Sequence, residues 1–452
     1  MSKNNASGTV DMTVGKESRV LLSFAIPVFF SLLFQQLYNT ADSFIVGNFL
    51  DKEALAAVSS SSSLIMLMIG FFNGFSSGAG VVISRYFGAG DREKVHLAIH
   101  TNILFSFFAG IFLTAFGVLL TPQILRWMGT DESVLPLSIS YFRWYFSGVL
   151  ATVMYNCFKG IMTALGDSKR PLYYLLFSSV TNVILDYVFI ALLHYGVGSA
   201  AVATVISQGL SAVLCLIHLM KKGQLYTVSL RALTLNKRML RETFRIGLPM
   251  GVQHSVISFA NVLVQTNINS FGADAMAACG TYSKIEGFAF LPVTSFSSGL
   301  TTFVGQNLGA GKVDRAKRGA RFGILSGFLA AEAVGVIIFL FGPFFISLFN
   351  ADAEVLRIGT LQCHTECLFY GFLALSHCVS GVCYGADRGT VPMASMLGVW
   401  CVFRITYITV LMQLKHSIQL LFTAYPLTWC ITSCIFLLYL KKGKWTEKKP
   451  EV

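Results

Sequence analysis

The sequence predicts an all-α membrane protein in which about twelve transmembrane helices form two pseudo-symmetric six-helix lobes. Composition is the first reason, because 54% of the 452 residues are hydrophobic and only 12% are charged, against roughly 25% charged residues in soluble proteins. The second reason is that long apolar runs recur along the whole chain, whereas a β-barrel would show short alternating segments. The third reason is an internal repeat.

The two halves of the chain share matching positions at an offset of 221 or 222 residues. The matching strings are Ile26-Pro27 with Leu248-Pro249, Ser76-Ser77-Gly78 with Ser297-Ser298-Gly299, Gly88-Ala89-Gly90 with Gly309-Ala310-Gly311, and Gly160 and Pro171 with Gly381 and Pro392. Duplication of a hydrophobic half-chain is typical of transporters, in which two bundles rock about a site between them. An even number of crossings in each half places the repeat axis along the membrane normal.

The apolar runs predict twelve helices of about 20 residues or more. Their expected spans are 20–48, 54–84, 95–120, 134–158, 172–193, 197–220, 243–271, 276–304, 317–341, 354–380, 392–412 and 416–440. The expected domains are a cytoplasmic segment (1–19), an N-lobe (20–220), a basic cytoplasmic linker (221–242), a C-lobe (243–440) and a basic cytoplasmic tail (441–452). Pro27 lies inside the first helix, where its missing N–H predicts a hinge, and Pro249 repeats it in the seventh.

The net charge of +12 is interpreted as a topology signal rather than a nucleic-acid footprint. Basic residues concentrate in every second loop, in the linker and in the tail, and the loops between them hold few. This alternation follows the positive-inside rule, which predicts a multi-pass protein of the plasma (inner) membrane with both termini in the cytoplasm. We therefore expect membrane lipid, and not nucleic acid, as a partner.

Polar residues on the first helix suggest a functional face. An acid at bilayer depth costs roughly 2.5–3.5 kcal/mol on insertion scales, so Asp42 is expected to face protein or water. Four polar residues step by four, three and four along this helix and therefore share one face: Ser31, Gln35, Tyr38 and Asp42.

A second polar group is expected in the fifth and sixth spans. Asn182 and Asp186 lie four residues apart on one helix face, and Thr204 lies in the next span. With Asp42, these oxygens suit a hard monovalent cation or a bound proton. The matching second-half positions hold Val264, Phe403, Tyr407 and Tyr425. The alternative interpretation is that the acids make purely structural hydrogen bonds, although intramembrane acids are functional by default.

Other polar residues are candidates for lining a substrate cavity. In the first half they are Gln35, Tyr38 and Asn156, and in the second half they are His254, Asn261 and Gln265. The second-half group could equally satisfy bonds between helices in a bundle core. Glu286, Glu332 and Glu366 are further acids expected near membrane depth.

The motifs of nucleotide-driven pumps and of zinc-dependent proteases are absent from the sequence. The Gly-Lys pairs at 15, 311 and 443 are not followed by Ser or Thr, so no phosphate-binding loop is predicted. The zinc-protease motif H-E-x-x-H is not found. The ten cysteines contain no CxxC pair, and we interpret those near Glu366 as packing residues rather than metal ligands. We expect neither enzymatic activity nor a cofactor, and an ion gradient as the energy source.

These features resemble the multidrug and toxic compound extrusion (MATE) family over about residues 18–440. The strings that carry the resemblance are Gln35-Gln36-Leu37-Tyr38-Asn39-Thr40-Ala41-Asp42, Val46-Gly47, Gly88-Ala89-Gly90, Ala164-Leu165-Gly166-Asp167 with Pro171, and Asn182 to Asp186 with Phe189-Ile190. The resemblance implies twelve helices in two lobes, a central cavity, and export of small organic, often cationic, compounds in exchange for Na⁺ or H⁺. It implies a xenobiotic antiporter, which we expect to be monomeric.

The chain looks closest to the DinF-like branch of the family. In that branch a first-lobe cation or proton site uses an acid in helix 1, an Asn and Asp in helix 5 and a Thr in helix 6, which match Asp42, Asn182, Asp186 and Thr204. The NorM-like branch has acids in helices 7 and 10, whereas helix 7 here offers only Asn261 and Gln265. Two alternatives stay open: a related flippase for lipid-linked oligosaccharide and, less favoured, an intramembrane lipid-modifying enzyme.

Overall fold

The computed structural model describes residues 10–49, 52–127, 132, 134–221 and 226–447. The first half contains seven α-helices: α1 (Glu17–Phe49), α2 (Lys52–Gly88), α3 (Arg92–Trp127), α4 (Leu135–Ser147), α5 (Val149–Ala164), α6 (Lys169–Asp186) and α7 (Gly198–Met220). The second half contains eight: α8 (Lys237–Asn269), α9 (Ala273–Gly309), α10 (Val313–Ser347), α11 (Ala353–Glu366), α12 (Tyr370–Gly385), α13 (Thr390–Met396), α14 (Arg404–Leu414) and α15 (Ile418–Lys441).

Several of these helices continue into one another. The α4 and α5 helices meet at Gly148, and a 3₁₀ turn (Cys367–Phe369) joins α11 to α12. A π-helix (Tyr187–Leu192) extends α6, and another (Leu397–Phe403) joins α13 to α14. The described chain therefore forms twelve helical segments, six in each half, and nine are long and apolar enough to cross a membrane. The predicted all-α membrane fold is confirmed.

The chain divides into two compact units that differ from a simple division at the middle. The first, here the N-unit, is Phe30–Gly251, and the second, here the C-unit, comprises Met12–Phe29 together with the chain from Val252. The first part of α1 thus belongs with the second half of the sequence, and the first part of α8 belongs with the first half. The expected lobes at 20–220 and 243–440 place the first part of α1 in the N-lobe and the first part of α8 in the C-lobe. Those lobe bounds stay a prediction.

In the N-unit, glycines let the first part of α8 approach α2 closely. A Cβ placed on Gly74 would lie 2.5 Å from the backbone nitrogen of Gly251, and one placed on Gly78 would overlap the backbone of Gly247. Gly74 and Gly78 lie four residues apart on α2, and Gly247 and Gly251 lie four residues apart on α8. This spacing lets membrane helices touch backbone to backbone. The glycines of α8 therefore allow the first part of this helix to pack directly against α2.

In the C-unit, the first part of α1 packs on α9. A Cβ placed on Gly299 would lie 3.5 Å from the ring of Phe24 and 4.0 Å from the side chain of Ala25. These are ordinary van der Waals distances, so this contact is looser than the contact between α2 and α8. Pro27 is buried within α1, which the structure shows as one uninterrupted helix.

The core of the C-unit surrounds α12, where all but two residues are buried. Glycines of α10 admit buried cysteines: a Cβ on Gly327 would lie 2.7 Å from the sulfur of Cys378, and one on Gly342 would lie 3.1 Å from that of Cys363. The buried cysteines therefore serve as small packing residues against a glycine-rich helix face, as the sequence predicts.

Candidate functional site

Two side-chain hydrogen bonds define how α6 and α7 pack in the N-unit. The hydroxyl of Ser178 donates to the carbonyl of Ser207 at 2.6 Å, and the hydroxyl of Ser211 donates to the carbonyl of Tyr174 at 3.2 Å. A step of four along α6 thus corresponds to a step of four backward along α7, as in antiparallel neighbours. The same register places the next turn of α6, at Asn182, level with Ala203, the residue before Thr204.

Asn182 and Asp186 both lie on the buried face of α6, with exposed fractions of 2% and 0%. Within the described residues, neither the nitrogen nor the oxygen of the Asn182 amide has a hydrogen-bond partner. A buried amide without a partner carries a desolvation penalty of about 1–3 kcal/mol, which a bound ligand would relieve. The Asn182 amide is thus a buried polar group of α6 that a bound ligand would stabilise.

The backbone changes immediately after Asp186. The π-helix Tyr187–Leu192 begins at the next residue. Single π-turns are uncommon and frequently occur at functional sites, because they shift the carbonyls and side chains that follow relative to an α-helix. The buried acid therefore lies at a point where α6 departs from regular geometry.

Thr204 is half-buried on α7, and its hydroxyl donates to the Ala200 carbonyl at 3.1 Å. Since the proton is used in this bond, the hydroxyl oxygen can still offer lone pairs to a cation. Ala200 is a member of a buried apolar cluster that also contains Ile190 and Ile45, with Val183 packed against it. This cluster brings α1, α6 and α7 together beside the polar residues.

Asp42 lies one turn before Ile45 in α1, and its side chain is outside the described residues. The structure consequently places three of the four predicted ligands, Asn182, Asp186 and Thr204, on two helices packed together. It places only the backbone of the fourth.

The structure also shows buried polar atoms near this group that the sequence analysis did not select. Ser179, one turn before Asn182, and Ser207, one turn after Thr204, are both buried. In the described part of the chain, the hydroxyls of Ser179 and Ser207 have no hydrogen-bond partner, nor has the phenol of Tyr155 on α5. The helical spacing of three residues from Asn182 and Thr204 could have identified the two serines.

The cavity candidates of the N-unit have mixed environments. Gln35 and Tyr38 are half-buried on α1, and Asn156 on α5 is half-buried with its amide donating to the Thr152 carbonyl at 2.9 Å. Tyr38 is close enough to Tyr145 for their phenolic groups to interact electrostatically. The amide of Asn156 is thus partly committed to its own helix, whereas Tyr38 lies near the aromatic residues of α4.

The cavity candidates of the C-unit lie on the exposed side of α8. His254, Asn261 and Gln265 are all exposed in the structure, and the Gln265 amide donates to the side chain of Asn269 at 3.0 Å. An interhelical bonding role in a bundle core is not supported by this exposure. The buried polar residue of this stretch is Gln253, which bonds to the phenol of Tyr384.

The C-unit has its own buried charged group on α11, α14 and α15. Glu366 is 1% exposed and accepts a hydrogen bond of 2.9 Å from the Gln362 amide. Arg404, also 1% exposed, donates to the Thr428 hydroxyl at 2.7 Å, and its guanidinium lies over the rings of Trp400 and Tyr425 at 5.2 and 4.7 Å. A fixed cation is therefore built into this unit.

The remaining C-unit acids have simpler roles. One carboxylate oxygen of Glu332 accepts the backbone N–H of Gly371 at 2.7 Å, at the start of α12. Glu286 is half-buried on α9 and close enough to Glu366 and Arg404 for their charges to interact. Glu332 thus has a structural partner, and Glu286 joins the charged group around Arg404.

Comparison with known proteins shows the family to which this chain belongs. The MatE family model matches residues 27–188 and 249–410, one match in each half of the internal repeat. The chain is 26% identical over 432 residues to the probable multidrug resistance protein YoeA of Bacillus subtilis (strain 168), covering 93% of this chain and 92% of that protein. It is 23% identical over 440 residues to the multidrug export protein MepA of Staphylococcus aureus (strain MSSA476), covering 96% of each.

A solved structure of a MOP superfamily transporter from Pyrococcus furiosus has the same fold, with a TM-score of 0.91 and 21% sequence identity, covering 97% of this chain and 98% of that one. The relatives named for their function are multidrug transporters and not enzymes. Since the family model covers most of both halves, this protein belongs to the MatE family of multidrug efflux transporters.

Proposed function

We propose that this protein is a secondary active antiporter that exports small organic compounds, many of them cationic, in exchange for inward Na⁺ or H⁺. The observation that carries the proposal is the buried, unpartnered amide of Asn182, which lies four residues from the buried Asp186 and within one residue of the level of Thr204 on the adjacent helix. One buried acid with amide and hydroxyl oxygens is a donor set for a hard monovalent cation. A proton on the acid would satisfy the same charge requirement.

The coupling ion is proposed to act through α1, as in the DinF-like branch. Asp42 contributes the fourth ligand from this helix. Pro27 lies two residues before the point at which α1 passes from the C-unit to the N-unit, and its missing N–H weakens the helix there. Binding of an ion at Asp42 and Asp186 changes the preferred shape of α1 only if its affinity differs between the two shapes. Pro27 is the proposed hinge for that change.

The flippase alternative is weaker than export. A lipid pyrophosphate needs accessible cations, and the buried Arg404 is held by Thr428 and two aromatic rings. Lys284 lies over the ring of Phe349, at 5.4 Å. These basic side chains therefore already have partners within the C-unit.

The proposed location is the plasma membrane, with both termini in the cytoplasm and the protein acting as a monomer. The basic linker and tail carry this topology by the positive-inside rule. Reporter fusions placed after Lys222 and after Lys441 are expected to give a cytoplasmic signal. A periplasmic signal at either position would contradict the topology while leaving the family assignment intact.

The test of ion coupling uses purified protein in liposomes with imposed Na⁺ or pH gradients and a cationic dye as substrate. Asp42→Asn and Asp186→Asn are expected to abolish gradient-driven export. Asn182→Leu should weaken it strongly, and Thr204→Ala should weaken it less, because a hydroxyl is a weaker ligand than a carboxylate. Each variant is measured against Na⁺ concentration and against pH, which separates the two candidate ions.

The matched control is Glu366→Gln, a neutralisation of a buried acid in the C-unit. This variant is expected to keep the ion dependence of the wild type. If it lost the ion dependence while Asp186→Asn kept it, the coupling site would lie in the C-unit and the proposal would be wrong. Full export by Asp42→Asn would also reject the assignment of that residue.

A further inference from the structure

An aromatic cavity of about 450 Å³ lies in the N-unit, away from Asn182 and Asp186. Its lining consists of seven phenylalanines and one alanine, from α2, α3 and the first part of α8. The floor is a triangle of rings: Phe75 and Phe105 have centroids 4.8 Å apart, and Phe244 lies 4.9 Å from Phe75 and 5.3 Å from Phe105. Packing alone does not fill this space.

The cavity opens on the outer face of the helices. Phe75 at its floor is 3% exposed, whereas Phe108 and Phe112 of α3 are 55% and 65% exposed. These two residues, with Phe105, extend over about two turns of α3, or roughly 10 Å at 1.5 Å per residue. Because α3 is long and apolar enough to cross a membrane, this exposed aromatic face is suited to contact the hydrocarbon of the bilayer.

Positive charge lies at one end of the cavity. Arg241 is exposed three residues before Phe244, in the second turn of α8, so the two share one helix face. In the described chain, the Arg241 guanidinium has no hydrogen bond or ion pair, whereas the neighbouring Arg238 pairs with Glu242 at 3.3 Å. An apolar groove therefore ends beside an available cation near the N-terminal end of α8.

This arrangement favours an occupant other than a cationic organic compound. Binding sites for organic molecules combine apolar walls with a few polar groups that fix orientation, and this lining has none. The arginine at its end would also repel a cationic compound. A hydrocarbon chain attached to an anionic head satisfies both features.

We propose that the cavity is a binding site for one anionic phospholipid, with an acyl chain along the phenylalanines and the phosphate at Arg241. Membrane hydrocarbon is as apolar as the lining, so burial of the chain gives little preference for any lipid. Selectivity comes from the head group. One arginine near the membrane surface contributes about 1 kcal/mol toward an anionic lipid, which is roughly a fivefold preference at 1.4 kcal/mol per tenfold.

The cavity also lies next to the close contact between α2 and α8. A Cβ on Gly247 would lie 2.9 Å from the Phe75 carbonyl oxygen, and one on Gly251 would lie 2.9 Å from the Phe71 ring. Phe71 and Phe75 therefore line the cavity on one side and meet the glycines of α8 on the other. A lipid chain seated on these rings supports the contact that fixes the first part of α8.

The experiment is native mass spectrometry of the full-length protein extracted from vesicles with equal amounts of phosphatidylglycerol and phosphatidylcholine of the same acyl chains. The wild type should retain phosphatidylglycerol about fivefold over phosphatidylcholine. Arg241→Gln should bring the ratio close to one. The matched control is Arg321→Gln, which removes an exposed arginine from α10 of the C-unit and should leave the ratio unchanged.

A photoreactive phenylalanine at position 108 locates the lipid without altering Arg241. It should cross-link phosphatidylglycerol preferentially, whereas the same group at the exposed Phe341 of α10 should cross-link both lipids equally. Equal retention of the two lipids by the wild type, or equal effects of Arg241→Gln and Arg321→Gln, would overturn the proposal. Cross-linking of a transported dye at position 108 in place of lipid would overturn it too, and none of these results depends on ion-coupled export.

Discussion

Gly78 and Gly299 occupy equivalent positions of the internal repeat and should respond in opposite ways to the same substitution. Gly78→Ala would place a methyl group inside van der Waals contact of the Gly247 backbone and 3.1 Å from the carbonyl carbon of Ile246. Gly299→Ala would place it 3.5 Å from the Phe24 ring, with two further atoms at 4.0 Å. One methyl group has no room, and the other completes a normal contact.

The magnitudes follow from two general effects. Replacing glycine by alanine inside a helix gains up to about 1 kcal/mol from helix propensity at either position. Overpacking a tight contact costs about 1–3 kcal/mol, and at Gly78 the obstacle is a backbone that cannot rotate away. After the propensity gain is subtracted, we expect Gly78→Ala to lose about 1–2 kcal/mol of unfolding free energy. We expect Gly299→Ala to be neutral or stabilising by up to about 1 kcal/mol.

Thermal unfolding in detergent can be followed with a thiol-reactive dye, because eight of the ten cysteines are buried and become reactive as the protein unfolds. Cys157 and Cys215 report on the N-unit, which contains Gly78. The midpoint should fall by several degrees for Gly78→Ala and should hold or rise for Gly299→Ala. Equal losses for the two variants would refute the argument that the two repeat contacts differ in tightness.

Two further variants test hydrogen bonds of the C-unit by the same unfolding measurement. Arg315→Leu should lose about 2–3 kcal/mol, because the Arg315 guanidinium donates to three backbone carbonyls just before α1. Arg318→Leu removes a 64% exposed side chain that pairs with Glu17 and should change the stability little. Similar losses for the two variants would contradict the reasoning. Thr428→Val should lose about 1–3 kcal/mol by leaving buried Arg404 without its acceptor, and an unchanged midpoint would show that this bond is unimportant.

The sequence was sufficient for the fold and for part of the candidate site. Hydropathy fixes the helical segments because each must present an apolar surface about as long as the bilayer is thick. The four-residue spacing of Asn182 and Asp186 predicts a shared face, and the structure shows both residues buried on it. Local periodicity is enough for such features, since they depend on one helix at a time.

Features that depend on two distant helices could not be predicted in this way. The first part of α8 belongs to the N-unit through glycine contacts with α2, more than 160 residues earlier in the chain. The first part of α1 belongs to the C-unit, where it packs on Gly299 of α9. The exposed His254, Asn261 and Gln265 show the converse. Their helical stripe is real, but periodicity alone does not tell whether a polar face meets protein or its surroundings.

The equivalent helix pair of the C-unit explains why ion coupling is proposed for one lobe. In the N-unit, bonds from Ser178 to Ser207 and from Ser211 to Tyr174 join α6 to α7 beside an acid and an amide. In the C-unit, the indole of Trp400 donates to Thr432 at 2.9 Å and Arg404 donates to Thr428.

The C-unit therefore keeps the same antiparallel pairing but fills it differently. Two aromatic residues, Phe403 and Tyr425, occupy the positions that match Asn182 and Thr204. The buried Arg404 directly follows Phe403 in the chain. The guanidinium of Arg404 already supplies a fixed cation beside the acids Glu286 and Glu366, so these acids have a positive partner without a mobile ion. The repeat has thus kept its packing, while one copy holds the permanent cation Arg404 where we propose that the other binds an exchangeable one.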